Sequence, residues 1–281
     1  MRELTVLLDG LAFGEGPRWR DGELFFSDMH AHKIMALDLC GAVRDVATVP
    51  GQPSGLGWLP DGRLLAVSMM DRRIVRLEAD GALPVHAELG ALATGPCNDM
   101  VVDALGRAYV GNMGFDPYAN ETPRTADLIL VRPDGSAAVA ARDLAFPNGA
   151  AISPDGATLI VAETGANRLT AFTIARDGAL AERRIWAELG AAVPDGIALD
   201  AEGAAWIASP ITGEVLRIFA GGRVAERFAT SQKPFACALG GPDRKTLFVL
   251  TAESWDPETC RTHRTARIGT TPVEVRGAGL P

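Results

Sequence analysis

Apolar and polar residues alternate along this chain in short runs, the period of a strand with one buried face. The runs form a repeated phrase: a small opening, an alternating strand, an Asp-Gly type turn, then a second apolar strand. It reads GPRWRDGELFFSD from Gly16, PSGLGWLPDGRLLAVS from Pro53 and PCNDMVVDALGRAYVG from Pro96. It returns as FPNGAAISPDGATLIVA from Phe146, VPDGIALDAEGAAWIA from Val193 and KPFACALGGPDRKTLFVL from Lys233. The copies lie roughly 40–50 residues apart, the period of a propeller blade.

The second copy shows the strands of one unit. A short strand leads into Asp61-Gly62; Arg63 to Ser68 runs to a bend at Met70-Asp71; Arg73 to Glu78 precedes Asp80-Gly81; Leu83 to Glu88 closes the unit. Asp-Gly between alternating runs is a strong hairpin signal, and it recurs at Asp21-Gly22, Asp134-Gly135, Asp155-Gly156 and Asp177-Gly178. No segment combines helical periodicity with start and stop signals. The expected fold is therefore all-β, one domain over residues 1–281, a six-bladed β-propeller with four antiparallel strands per blade. The last unit offers three strands (Phe235–Leu239, Leu247–Thr251, Thr265–Val275), and the N-terminal segment Glu3–Leu8 has no unit before it. That segment is expected to close the last blade, pairing two otherwise exposed edges.

Composition narrows the function. A hydrophobic fraction of 47% supports a packed core, and a net charge of −8 excludes the basic stripe of a nucleic-acid surface. No apolar run is long enough to span a bilayer, and the N-terminus has no clean signal-peptide core, so the expected compartment is the cytoplasm. The four cysteines, Cys40, Cys97, Cys237 and Cys260, lack metal or redox spacing and are expected to be free thiols. There is no P-loop, dinucleotide fingerprint, HExxH or GxSxG. Cys97 adjoins Asn98 but has no sequence-adjacent base, so thiol nucleophilic catalysis is unsupported.

The repeat also lines up one position in each copy. There the chain places Glu15, Asn98, Asn148 and Asp195. In a propeller the start of each innermost strand faces the central channel, so these side chains are expected to converge. Asn and Asp also cap turns routinely, but two carboxylates with two amides make an oxygen-donor set suited to Ca2+ or Mg2+. The longest insertion, residues 111–127, carries Phe115 and Tyr118 and is expected to form a lid over the pocket.

Gly14-Glu15-Gly16-Pro17-Arg18-Trp19 with Leu24-Phe25-Phe26-Ser27-Asp28 resembles the opening of the SMP-30/gluconolactonase/luciferin-regenerating family. Phe146-Pro147-Asn148-Gly149 resembles its fourth-blade motif, Pro194-Asp195-Gly196 its fifth, and Asn98-Asp99 with Asp103, Gly106 and Arg107 its third. The resemblance covers nearly the whole chain. It implies a lactone hydrolase with one divalent metal, Ca2+ foremost and Zn2+, Mn2+ or Mg2+ as alternatives. Glu15, Asn148 and Asp195 are the implied ligands, with Asn98 at the metal or the substrate. Asp195 is the first choice for the general base and Asp99 the second. His30, Met113, Phe115 and Tyr118 are the expected substrate contacts, with Met29 and Trp255 also at the rim. Pro96 stands where the sugar-lactone members carry an arginine, and the Gly111–Asp116 stretch does not align clearly with their acidic residue, so the expected lactone or ester is less polar than a sugar lactone. Metal-dependent hydrolysis of other esters or organophosphates, and a non-catalytic small-ligand or calcium-binding propeller, are the alternatives.

Overall fold

The computed structural model describes residues 2–279. Six four-stranded antiparallel sheets surround one axis. The first comprises Gly14–Arg20, Glu23–Asp28, Lys33–Leu37 and Val43–Thr48, from the inside outward. Inner strands begin the later blades at Pro53, Cys97, Pro147, Ile197 and Lys233. Burial follows this order: Leu64–Ser68 is buried at every position, whereas the outer strand Val43–Thr48 is mostly exposed. Second strands such as Leu64–Ser68, covered on both faces, accordingly read as continuous apolar runs.

Closure follows the expected route. The N-terminal strand, Thr5–Leu11 rather than Glu3–Leu8, pairs antiparallel with Ala266–Pro272 and completes the blade of Lys233–Gly240 and Thr246–Ala252. The expected last strand, Thr265–Val275, is trimmed to Ala266–Pro272. Asp28 reinforces the closure by accepting the Phe13 N–H at 2.8 Å and the Ala12 N–H at 3.3 Å. One helix went unread in the sequence, Pro257–His263, capped by Asp256, whose side chain accepts the Thr259 N–H at 2.9 Å. At 7 residues it is too short to show a helical period. No helix among the described residues is long and apolar enough to cross a membrane.

The same irregularity recurs in five inner strands. The register breaks between Glu15 and Arg18, Pro53 and Leu56, Cys97 and Met100, Pro147 and Ala150, and Pro234 and Ala236. A bulge bends a strand and re-aims its side chains. Here it falls beside Glu15, Ser54, Asn98, Asn148 and Phe235. In the fifth blade pairing begins only at Ile197, and Asp195 is held by its backbone N–H to the Ala208 carbonyl at 3.0 Å.

Glycine follows four of these positions, Glu15, Ser54, Asn148 and Asp195, because the inner strands crowd each other at the axis. A Cβ on Gly16 would lie 2.5 Å from the Ser54 carbonyl oxygen, one on Gly149 2.4 Å from the Asp195 carbonyl oxygen, and one on Gly196 2.7 Å from the Ala236 Cα. Backbone cannot yield as a side-chain tip does. Gly149→Ala is therefore expected to lower stability by about 1–3 kcal/mol, read as a fall in Tm of roughly 2–4 °C for each kcal/mol. An unchanged Tm would contradict the close approach.

Candidate metal and substrate site

One end of the channel opens as a cavity of about 220 Å3. Glu15, Asn98, Asn148 and Asp195, contributed by four different blades, form its polar floor. All four are at least nine-tenths buried. Phe13, Met29, Phe146, Val193 and Phe235 build the wall, and Met113, Pro117, Tyr118, Pro210, Ile211 and Trp255 carry it to the mouth, with Thr164 and Lys233 adding polar groups. Phe146 has a φ of 56°, a conformation costing a bulky residue on the order of 1–3 kcal/mol. Such outliers concentrate at sites where the surrounding structure fixes one side chain against the local preference.

The floor is electrostatically unbalanced. Burial holds the Glu15 carboxyl well above the ordinary range, and repulsion from Asp195 and Asp99 raises it further; the Gly16 N–H and the Arg18 charge only partly oppose this. Burial likewise pushes Asp195 up, against a hydrogen bond from Asn148 that eases its ionisation. Arg18 is not the missing counter-ion. Its Nη2 binds Asp99 Oδ1 at 2.9 Å and the Met100 carbonyl, and its Nη1 binds the Pro17 carbonyl at 2.9 Å. Among the described residues, the two buried carboxylates thus share a cavity with no protein cation bonded to either, an arrangement that favours protonation or a bound cation.

The amides are held by neighbours. Asn148 Nδ2 donates to Thr164 Oγ1 at 3.2 Å, and Thr164 Oγ1 donates to the Pro194 carbonyl at 2.7 Å, which leaves Asn148 Oδ1 free for the cavity. Asn98 Oδ1 accepts from Ser54 Oγ at 3.3 Å, which leaves its N–H groups free. Among the described residues, no three His, Cys, Asp or Glu side chains cluster as a metal site. The floor is instead two carboxylates and two amides, hard oxygen donors that fit Ca2+ or Mg2+ and lack the nitrogen and sulfur of structural zinc sites.

The other expected residues divide. Met29, Met113, Tyr118 and Trp255 reach the cavity. Asp99 does not line it; its Oδ1 accepts from Arg18 and from the Met100 N–H at 2.8 Å, so it sits behind the floor. His30 lies behind the wall, its ring 5.3 Å from that of Phe13, with Nε2 3.3 Å from the Trp255 carbonyl. Burial lowers its pKa to about 4, so the imidazole is neutral and supports the loop that carries Trp255. Phe115 stands edge-on to Phe146, centroids 5.9 Å apart, and buttresses the wall from outside. The long insertion therefore supplies wall through Met113, Pro117 and Tyr118. Cys97 is buried, and desolvation pushes its thiol up to about 12, which disfavours a thiolate nucleophile.

Several residues went unread in the sequence: Phe13, Phe146, Val193, Lys233 and Phe235, together with Thr164, Pro210 and Ile211. The repeat itself holds a signal for the first five. Ser54 and Phe235 complete the ring that contains Glu15, Asn98, Asn148 and Asp195, and Phe13, Phe146, Val193 and Lys233 each stand two residues before a member of that ring.

The profile of the SMP-30/Gluconolactonase/LRE-like region matches residues 13–253. The chain belongs to that family. It is 28% identical over 247 residues to a pentonolactonase of Haloferax volcanii, covering 85% of this chain and 81% of that one. It is 27% identical to a 6-deoxy-6-sulfogluconolactonase of Pseudomonas putida, covering 85% and 83%. Among solved structures, a calcium-binding protein, regucalcin, from Agrobacterium tumefaciens superposes with a TM-score of 0.84 at 26% identity, covering 100% of this chain and 97% of that one. The propeller, its closing N-terminal strand and the channel described above are thus those of a family member.

The repulsion on the floor gives a pH test. A carboxyl whose folded pKa is raised contributes stability that is fully present below its unfolded pKa, near 4, and is lost as pH rises towards the folded value. In chelator, Glu15→Gln is therefore expected to be more stable than the parent at pH 8, by about 3 °C or more in Tm, with the gap closing towards pH 4. Calcium is expected to raise the Tm of the parent and not that of the variant. A parent that outlasts the variant at pH 8 in chelator would contradict the unbalanced floor.

Proposed function

We propose that this protein hydrolyses a lactone, using one divalent cation, Ca2+ foremost, held by Glu15, Asn148 and Asp195. The observation that carries the reading is the pair of uncompensated carboxylates, Glu15 and Asp195, on the floor of a ligand-sized cavity beside Asn98 and Asn148. Kinship with proteins named as pentonolactonase and 6-deoxy-6-sulfogluconolactonase supports the reaction class, and kinship with a calcium-binding regucalcin supports the ion.

Each residue has a distinct task. Glu15 and Asp195 bring negative charge, and Asn148, whose amide N–H is held by Thr164, has its carbonyl oxygen free to join them. A cation held by Glu15, Asn148 and Asp195 would supply Lewis-acid polarisation of the ester carbonyl and offset the charge that grows on its oxygen. Asn98 offers its N–H groups to a substrate oxygen, since its own carbonyl is taken by Ser54. Asp195 accepts the proton of the attacking water. Asp99 acts from behind by anchoring Arg18 under the floor. Among the described residues the cysteines are free, three of them buried, which suits a reducing compartment such as the cytoplasm.

Acid release from a lactone panel is the direct assay. Activity is expected to stop on metal removal and to return with Ca2+, Mn2+ or Zn2+; activity that survives demonstrated metal removal would overturn the metal's role. Asp195→Ala is expected to lower kcat on the order of 10²–10⁴-fold, with unchanged turnover ruling it out as the base. Asp99→Asn strips the buried partner from Arg18 and is expected to cost roughly 3–5 kcal/mol of stability, seen first in Tm. A stable but inactive Asp99→Asn protein would return Asp99 to the reacting atoms.

A further inference from the structure

The polar floor contrasts with everything above it. The ring two residues up the strands presents Phe13, Phe146 and Val193 to the cavity, with Lys233 as its one charged member. Above the floor, the side-chain polar groups on the lining are the Tyr118 hydroxyl, Thr164 Oγ1, the Lys233 amine and the Trp255 indole N–H. Thr164 is already engaged by Asn148 and by the Pro194 carbonyl. Lys233 is exposed at the rim. At the mouth, Ile211 is 72% exposed and Trp255 49% exposed, which leaves apolar surface facing water beside the opening. An apolar patch that continues a cavity wall marks the path of an apolar ligand part.

We propose that the substrate is a lactone whose ring carries an extended alkyl or aryl substituent, not a polyhydroxylated sugar lactone; this rests on the lactonase reading above. The ester group meets the floor, and the substituent runs along Phe13, Phe146 and Val193 to Trp255 and Ile211. The water oxygen bonds to the acyl carbon as the ring C–O bond breaks. One water proton ends on the ring oxygen as an alcohol, and the acid formed releases the other. A ring bearing several hydroxyls would press them against walls with few free partners, and each unpaired hydroxyl would oppose binding.

Three six-membered lactones separate the claims: δ-valerolactone, δ-decalactone with its pentyl chain, and glucono-δ-lactone, each given to the metal-loaded protein. The expected result is a kcat/KM for δ-decalactone at least tenfold above both others. Equal or greater activity on glucono-δ-lactone would overturn the proposal while sustaining the lactonase reading. If none is hydrolysed, the lactonase reading falls, and calorimetric titration with the same three compounds decides the site: tighter binding of δ-decalactone by tenfold or more supports an apolar site, and equal or weaker binding overturns it. In Trp255→Ala, the preference for δ-decalactone over δ-valerolactone is expected to fall at least threefold; a preserved preference would remove the proposed path.

Discussion

Two carboxylates buried on one axis repel each other, and the fold holds them there. Glu15 and Asp195 lie 180 residues apart in sequence on different blades, yet each is desolvated and, among the described residues, neither bonds a protein cation. Such a pair opposes folding unless it is protonated or shared with a cation. The surrounding structure opposes the repulsion without relieving it. Arg18 lies close enough to act on Glu15, but its hydrogen bonds go to Asp99 and to backbone carbonyls. Thr164 and Ser54 fix the two amides.

The propeller supplies this geometry by repetition. One bulge near the start of the inner strand, present in five of the six blades, turns side chains such as Glu15, Asn98 and Asn148 towards the axis, while Asp195 is placed by its backbone bond to Ala208. Glycine after Glu15, Ser54, Asn148 and Asp195 lets neighbouring backbones approach at the axis. Closure by the N-terminal strand couples the ring to the site: Asp28 binds the backbone of Ala12 and Phe13, and Phe13 is both the wall of the cavity and the link to Glu15. Strand pairing, channel shape and ligand placement therefore act as one system. The apolar wall lowers the polarity beside the charged floor, which strengthens electrostatic interactions there.

Much of this was legible in the sequence because a propeller writes its period openly. The six phrases gave the blades, and their shared position gave the floor residues Glu15, Asn98, Asn148 and Asp195. What remained hidden were contacts that no spacing encodes. Asp99 reads as a candidate base beside Asn98, but its partner Arg18 lies 81 residues earlier. His30 follows a strand that leads to the mouth, yet its ring packs behind Phe13 under the Trp255 loop. Phe115 and Tyr118 lie in one insertion, and only Tyr118 reaches the cavity. Such differences depend on side-chain direction in irregular backbone. The ring of Phe13, Phe146, Val193 and Lys233 was readable in principle, since period two places alternate residues on the same face.

The central claim is that Glu15, Asn148 and Asp195 grip a single ion on the axis. A crystal soaked in Mn2+, with anomalous differences collected at the manganese edge, tests it without reference to turnover. The account predicts one strong peak on the channel axis, within coordinating distance of oxygens from all three side chains. A well-ordered, manganese-saturated crystal with no peak there, or with its only peak on the outer strands, would contradict it.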